Sequence, residues 1–155
     1  MKNMDEGQKE AIVLATIKAG IKSFDKISKV ANIPPKELEQ VLEKLESRNL
    51  IVVNEKKGFL GIKIEINITE KGEKNLENQI HELEEKWKQM IQLYKLEDKQ
   101  KLQQYIDENK TSFKQMIFFG ILDMSIFSRM FSMVELTMAN YISPKDMPQD
   151  IDSEL

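Results

Sequence analysis

The chain has 155 residues, 41% hydrophobic and 32% charged, with a formal net charge of −3 and no cysteine. That balance fits a folded, helix-rich protein made of one domain plus an appendage, or of two small units. It excludes disulfides, thiolate metal sites, iron–sulfur clusters and cysteine catalysis, and it offers no global cationic field of the kind that announces nucleic-acid or membrane binding. His81 is the single histidine, which leaves little room for histidine-based metal or acid–base chemistry. Arg48 and Arg129 are the only arginines among many lysines. Arginine is the usual bidentate reader of guanine, so a DNA binder with this composition would lean on phosphate contacts and shape. Met1 to Gly7 is polar and acidic and does not read as a secretory signal, so a cytoplasmic location is expected.

In chain order, Gln8 to Ala19 is predicted as a first helix, with Ala11, Ile12, Leu14, Ala15 and Ile17 on a broad apolar face and Gly20 as its stop. Ser23 is a candidate N-cap for a short second helix carrying Phe24, Ile27 and Val30 on one face, with Asn32 ending it. Pro34 and Pro35 open a third helix, since proline is tolerated in a first turn. Leu38, Val41, Leu42 and Leu45 follow at helical spacing, and Asn49 stands where a C-terminal cap belongs.

The period then changes. Leu50 to Val53 is a short β-branched run, and Lys56-Lys57-Gly58 is a turn signal within Glu55 to Gly61. Ile62, Ile64, Ile66 and Ile68 alternate with polar residues, the pattern of a strand with one buried face. Helix, helix, helix, strand, turn, strand is the layout of a winged helix-turn-helix. In that layout Lys56 and Lys57 would stand at the wing tip, with Phe59 and Leu60 as its hydrophobic base.

Thr69 can cap a long helix from about Glu70 to Tyr94 or beyond. Leu76, Ile80, Leu83, Trp87, Met90 and Tyr94 are spaced as a heptad seam. Tyr94 to Lys101 breaks the seam, and Leu102, Tyr105 and Ile106 suggest a short helix ending near Asn109. Thr111 to Tyr141 is predicted as one helix, bent near Gly120. Phe113, Ile117, Met124, Phe127 and Phe131 lead its apolar stripe, with sparse polar residues such as Asp123 and Arg129. Those charges interrupt any membrane-length window, so no membrane span is expected. Ser143 to Leu155 reads as a frayed acidic tail.

The stretch "IPPKELEQVLEKLESRNLIVV … INITEKG" resembles the core of MarR-type and related winged-helix regulators, including PadR-like and archaeal ones. The resemblance covers roughly Gln8 to Asn78. It implies a third helix in the DNA major groove, a wing on the neighbouring minor groove or backbone, and a dimer built by helices outside the module. The DNA-contact candidates are then Lys36, Glu37, Gln40, Lys44 and Arg48 on or at the end of the third helix, with Lys56 and Lys57 in the wing. MarR-type wings often carry Asp-x-Arg, which is absent here. With only Met1 to Gly7 before the first helix in this sequence, dimerisation is expected from the C-terminal half rather than from a preceding helix.

The expected fold class is therefore α+β and mostly helical: a winged helix-turn-helix domain over residues 8–72, long dimerisation helices over 73–142, and a flexible tail over 143–155. The seam has two uses that can hold together, a homodimer and an antiparallel hairpin with Thr111 to Tyr141. The dimerisation candidates are Leu76, Ile80, Leu83, Trp87, Met90, Tyr94, Phe113, Ile117, Met124, Phe127 and Phe131. A small-molecule effector between methionine-rich walls is a further partner to consider. The expected function is sequence-specific binding of double-stranded DNA as a homodimeric transcription regulator, with no cofactor, no metal and no catalytic site. Glu37, Glu39, Glu43 and Glu46 on the third helix keep a second reading open, a winged-helix protein-interaction module that does not bind DNA.

Overall fold

The computed structural model describes residues 6–143. The expected tail, beyond Ser143, lies outside the described residues. The element order is α1 (Glu6–Lys18), α2 (Phe24–Ala31), α3 (Pro35–Ser47), β1 (Ile51–Gly58), β2 (Gly61–Ile68), α4 (Glu70–Lys95), α5 (Lys99–Glu108), α6 (Phe113–Phe118) and α7 (Met124–Val134), with single 3₁₀ turns at Lys110–Ser112 and Met138–Asn140. The class is α+β and mostly helical. The chain divides into two compact units with the boundary between Gln79 and Ile80, inside α4.

In the first unit α1 is buried on nearly every side, with Ala11, Ile12, Val13 and Leu14 each at most 2% exposed. It packs on α2, α3 and β2. The hydroxyl of Thr16, also buried, donates to the Ile12 carbonyl at 2.8 Å, so no polar atom is stranded. α2 buries Ile27 and Ala31, whereas Val30, expected on the buried face, is half exposed. Asn32 ends α2 in the left-handed conformation at φ 55°. α3 buries Leu38, Val41, Leu42 and Leu45 and closes in a Schellman motif: Asn49, at φ 63°, donates to Glu46, and Leu50 donates to Leu45, each at 2.9 Å. Leu45 and Leu50 are both fully buried, the apolar contact that accompanies this cap.

The sheet is one antiparallel pair in which Ile51 faces Ile68, Val53 faces Ile66, and Gly58 faces Gly61. Both strands are longer than the sequence pattern suggested, and the hairpin closes through Phe59 and Leu60. Gly61, at φ +111°, supplies the positive φ that this turn requires. The first turn of α4 is locked to the end of α3. Thr69 Oγ1 donates to the Asn49 carbonyl at 2.7 Å and accepts the Gly72 amide at 3.0 Å, an N-cap on the third helical residue.

The second unit is built around aromatic packing. Phe127 stacks edge-on against Phe113 at 5.0 Å and Phe131 at 4.7 Å, and lies 6.1 Å from Trp87. Leu83, Met90, Leu102, Ile106, Met116 and Met130 fill the rest of this core. Asp98 caps α5 by accepting the Lys101 amide at 3.1 Å. Thr111 to Tyr141 is not one bent helix. Gly120, at φ +69°, ends the run after α6, and Asp123 starts α7 afresh by accepting the Ile126 amide at 3.1 Å. Glu135, at φ 59°, ends α7. The apolar period survives the break because both short helices present it to the same core.

Candidate nucleic-acid interface

The site is best built from α3 outward. Leu38, Val41, Leu42 and Leu45 turn one face of the helix inward. At about 100° per residue the opposite face carries Lys36, Gln40, Glu43 and Ser47, with Lys44 on one flank and Glu39 and Glu46 on the other. All seven are exposed. Glu43 therefore sits near the middle of the outward face and not to the side, as pairing with a flanking lysine would require.

Two of the DNA-contact candidates are held toward α1. Glu37 pairs with Lys9 Nζ at 3.4 Å, which neutralises one of the four acids of the helix. The Arg48 guanidinium donates to Glu10 Oε1 at 2.5 Å, and Glu10 is only 7% exposed. A carboxylate at that depth needs a cation, and Arg48 is that cation. Neither Lys9 nor Glu10 attracted notice in the sequence. Both lie in the polar first half of α1, beside Glu6 and Gln8, where nothing local sets them apart.

The wing is arranged the other way round from expectation. Lys56 and Lys57 lie within β1, and the tip is Phe59 and Leu60, both fully exposed. Opposite residues of an antiparallel pair share a face, so Lys56, Lys63 and Glu65 lie on one side of the wing. Lys57, Val53, Ile62 and Ile64 lie on the other. Lys56 Nζ reaches Glu65 Oε1 at 3.1 Å. That hydrogen bond holds the Glu65 carboxyl below its ordinary pKa against the opposing effect of burial, with the charges of Lys56, Lys22 and Lys63 adding to the lowering. Of the four alternating isoleucines of β2, Ile66 alone is fully buried, and Ile62 and Ile64 are 62% and 54% exposed.

An open, polar cleft of about 390 Å³ lies at the end of α3, lined by Ser47, Arg48 and Asn49 together with Lys71, Lys74 and Asn78 of α4. In the second unit an open cleft of about 460 Å³ is lined by Ile80, Trp87, Phe119 and Ile121, with Glu84 and Lys88 at its rim. Among the dimerisation candidates, Leu76, Leu83, Trp87, Met90, Phe113, Phe127 and Phe131 are buried within the chain itself. Ile80, Tyr94, Ile117 and Met124 are half-buried. The part of the seam from Leu83 to Met90 therefore packs into the same core as Phe113 and Met116 of α6 and Phe127, Met130 and Phe131 of α7. His81 is exposed on α4. Among the described residues no group of three or more histidine or carboxylate side chains is placed to hold a metal ion, and no helix is long and apolar enough to cross a membrane.

Three helices with a capped, solvent-facing third helix, followed by a two-stranded hairpin, define a winged helix-turn-helix protein. A family model described as HxlR-like helix-turn-helix matches residues 6–94, more than half of the sequence. The chain belongs to the HxlR-like helix-turn-helix family. The likeness to MarR- and PadR-type proteins thus holds at the level of a helix-turn-helix regulator, and the family that matches is the HxlR-like one. No curated protein and no solved structure matches the chain. The family match spans α1 to nearly the end of α4, leaving α5 to α7 beyond it.

Proposed function

We propose that this protein is a sequence-specific, DNA-binding transcription regulator that acts as a homodimer. α3 lies in the major groove, and lysines of the wing meet the phosphate backbone. The observation that carries this reading is the outward face of α3. Lys36, Gln40 and Ser47 stand exposed on it, Lys44 flanks it, and Glu37 is drawn aside into its pair with Lys9. Gln40 has the geometry to pair with adenine, and lysine with guanine or phosphate. Ile80, Tyr94, Ile117 and Met124, each half-buried, leave apolar surface for a second copy. A two-fold dimer requires half-sites about 10 bp apart, or a multiple of that. The open cleft beside Trp87 is the place in the second unit where a small-molecule effector would enter.

The test is alanine at Gln40 and Lys44 together. Specific binding to a duplex enriched by the wild-type chain from a random-sequence pool should be lost, with folding and mass unchanged. Unchanged affinity in that double variant contradicts the assignment. One observation favours a second reading. Glu39, Glu43 and Glu46 are all exposed on α3, which suits a basic protein partner. A protein-interaction module would show no duplex affinity at any salt concentration.

A further inference from the structure

The wing raises a problem that backbone contacts by lysine leave unsolved. Phe59 and Leu60 project fully into solvent at the hairpin tip, and Ile62, Ile64 and Val53 lie exposed on one face behind them, with Lys57 opposite Ile62 and Glu55 opposite Ile64. Large apolar side chains are rarely left together in water without a partner. The last buried residue on that face is Ile66, and five residues of strand at about 3.3 Å each put the tip about 16 Å beyond it. The hairpin is paired to its end, with Gly58 opposite Gly61. Such a hairpin holds two large apolar groups at the end of a paired arm.

We propose that this tip is an apolar wedge for duplex DNA: Phe59 and Leu60 enter the minor groove and part a base step, while Lys57 and Lys63 rest on the phosphates to either side. The inference rests on the DNA-binding reading of α3. Charge complementarity selects the occupant. Lys57 is the charged residue nearest the tip on one face, and Lys56 and Lys63 are paired one rung back on the other; the acids of the wing lie further back, Glu55 on the face of Lys57 and Glu65 on the face of Lys63. Glu65 is occupied by Lys56. An apolar point bracketed by cations suits stacked bases bracketed by phosphates better than it suits a protein surface of either sign. Apolar wedges of this kind unstack a step and kink a duplex by about 20–90° toward the major groove. Flexible pyrimidine–purine steps, TA above all, cost least to open, so the wing would add sequence preference without any hydrogen bond to a base.

The wedge is tested with the full chain and a duplex of about 30 bp enriched by it from a random pool, end-labelled for energy transfer and carrying 2-aminopurine at successive positions across the flanks. The wild-type chain should shorten the end-to-end distance and brighten 2-aminopurine at one flanking step in each half-site. The variant Phe59→Ser with Leu60→Ser should keep its circular dichroism and melting temperature, because both side chains are solvent-exposed. It should bind about 10–100-fold more weakly, in line with one or two stacked groups lost, with no bend and no brightening. Binding by the wild type without bend or brightening overturns the wedge and leaves the DNA reading standing. A double variant that binds and bends as the wild type does also overturns it. A double variant that binds DNA normally but loses self-association in sedimentation would assign the tip to a second copy of the chain instead. Failure of the wild-type chain to enrich any duplex removes the DNA reading and the wedge with it.

Discussion

Arg48, the residue that caps α3, is bound to Glu10 of α1: its Nη1 donates to a carboxylate oxygen 2.5 Å away that is almost wholly buried. Arg48 is half exposed, so the pair is a tether at the edge of the core.

Arg48→Ala should therefore act on stability first. Removing the guanidinium leaves the Glu10 carboxylate buried beside no cation, a loss of about 1–2 kcal/mol after allowing for the exposed half of the pair. Denaturant unfolding measures it. The salt slope of duplex binding, which counts phosphate contacts, should stay as in the wild type. A slope reduced by about one contact with unchanged stability would instead return Arg48 to the DNA interface.

A side chain at Gly72 is a second test of how α4 is seated. A Cβ there would lie 2.1 Å from the Leu50 carbonyl oxygen and 2.8 Å from the Ile68 side chain. Backbone cannot yield that much without shifting the first turn of α4 off the end of α3. Gly72→Ala should cost about 1–3 kcal/mol, as overpacking does, despite alanine's better helix propensity. Thr69→Ala, which removes the cap, should cost about 1 kcal/mol. Thermal unfolding ranks the two, and a stabilised Gly72→Ala would refute the close approach.

The seam divides into residues that hold the monomer and residues free to meet a partner. Trp87 packs on Phe127 and is 7% exposed, so Trp87→Ala should destabilise the second unit by about 3–5 kcal/mol at any protein concentration. Ile80→Glu, at a half-buried position, should keep the circular dichroism spectrum and halve the mass seen by sedimentation. A Trp87→Ala chain that stays folded as a monomer would place that residue at the interface instead.

Tyr141 gives a pH signature. Its hydroxyl donates to Asp107 at 2.5 Å, and this bond, aided by some burial, raises the phenol's pKa to about 12. A folded pKa above the unfolded value near 10 means the contribution is complete below about pH 10 and fades as pH rises toward about 12. The fall in melting temperature over that window should be shallower in Tyr141→Phe. Identical slopes in the two chains would show that the bond to Asp107 is not made.

Much of this molecule was legible because its signals are local. Asn32 and Asn49 stop helices where left-handed residues were expected, and Thr69 caps α4 as its position suggested. The even-spaced isoleucines marked β2 correctly, but period two says which residues share a face and not how far along the strand burial extends. Ile62 and Ile64 emerged into solvent for that reason. The Lys-Lys-Gly turn signal misplaced the wing tip, because the pairing register, closed by two glycines around Phe59 and Leu60, decided where the chain turns. Thr111 to Tyr141 kept a continuous apolar period through Gly120 and Asp123, so a break between two helices looked like a bend. The ties of Glu10 to Arg48 and of Lys9 to Glu37 join residues far apart in sequence, and no local pattern reports such pairs.

For α3 to read DNA, a helix bearing four glutamates must sit against a polyanion. Fluorescence anisotropy of a duplex enriched by the wild-type chain, against a scrambled duplex, at about 50 and about 200 mM salt tests it most directly. DNA reading by α3 gives tight binding to the enriched duplex, weak binding to the scrambled one, and a loss of affinity with salt of about 0.9 log units per log unit for each phosphate neutralised. Absence of binding to either duplex at the lower salt would contradict it, and would assign the exposed acids of α3 to a protein partner.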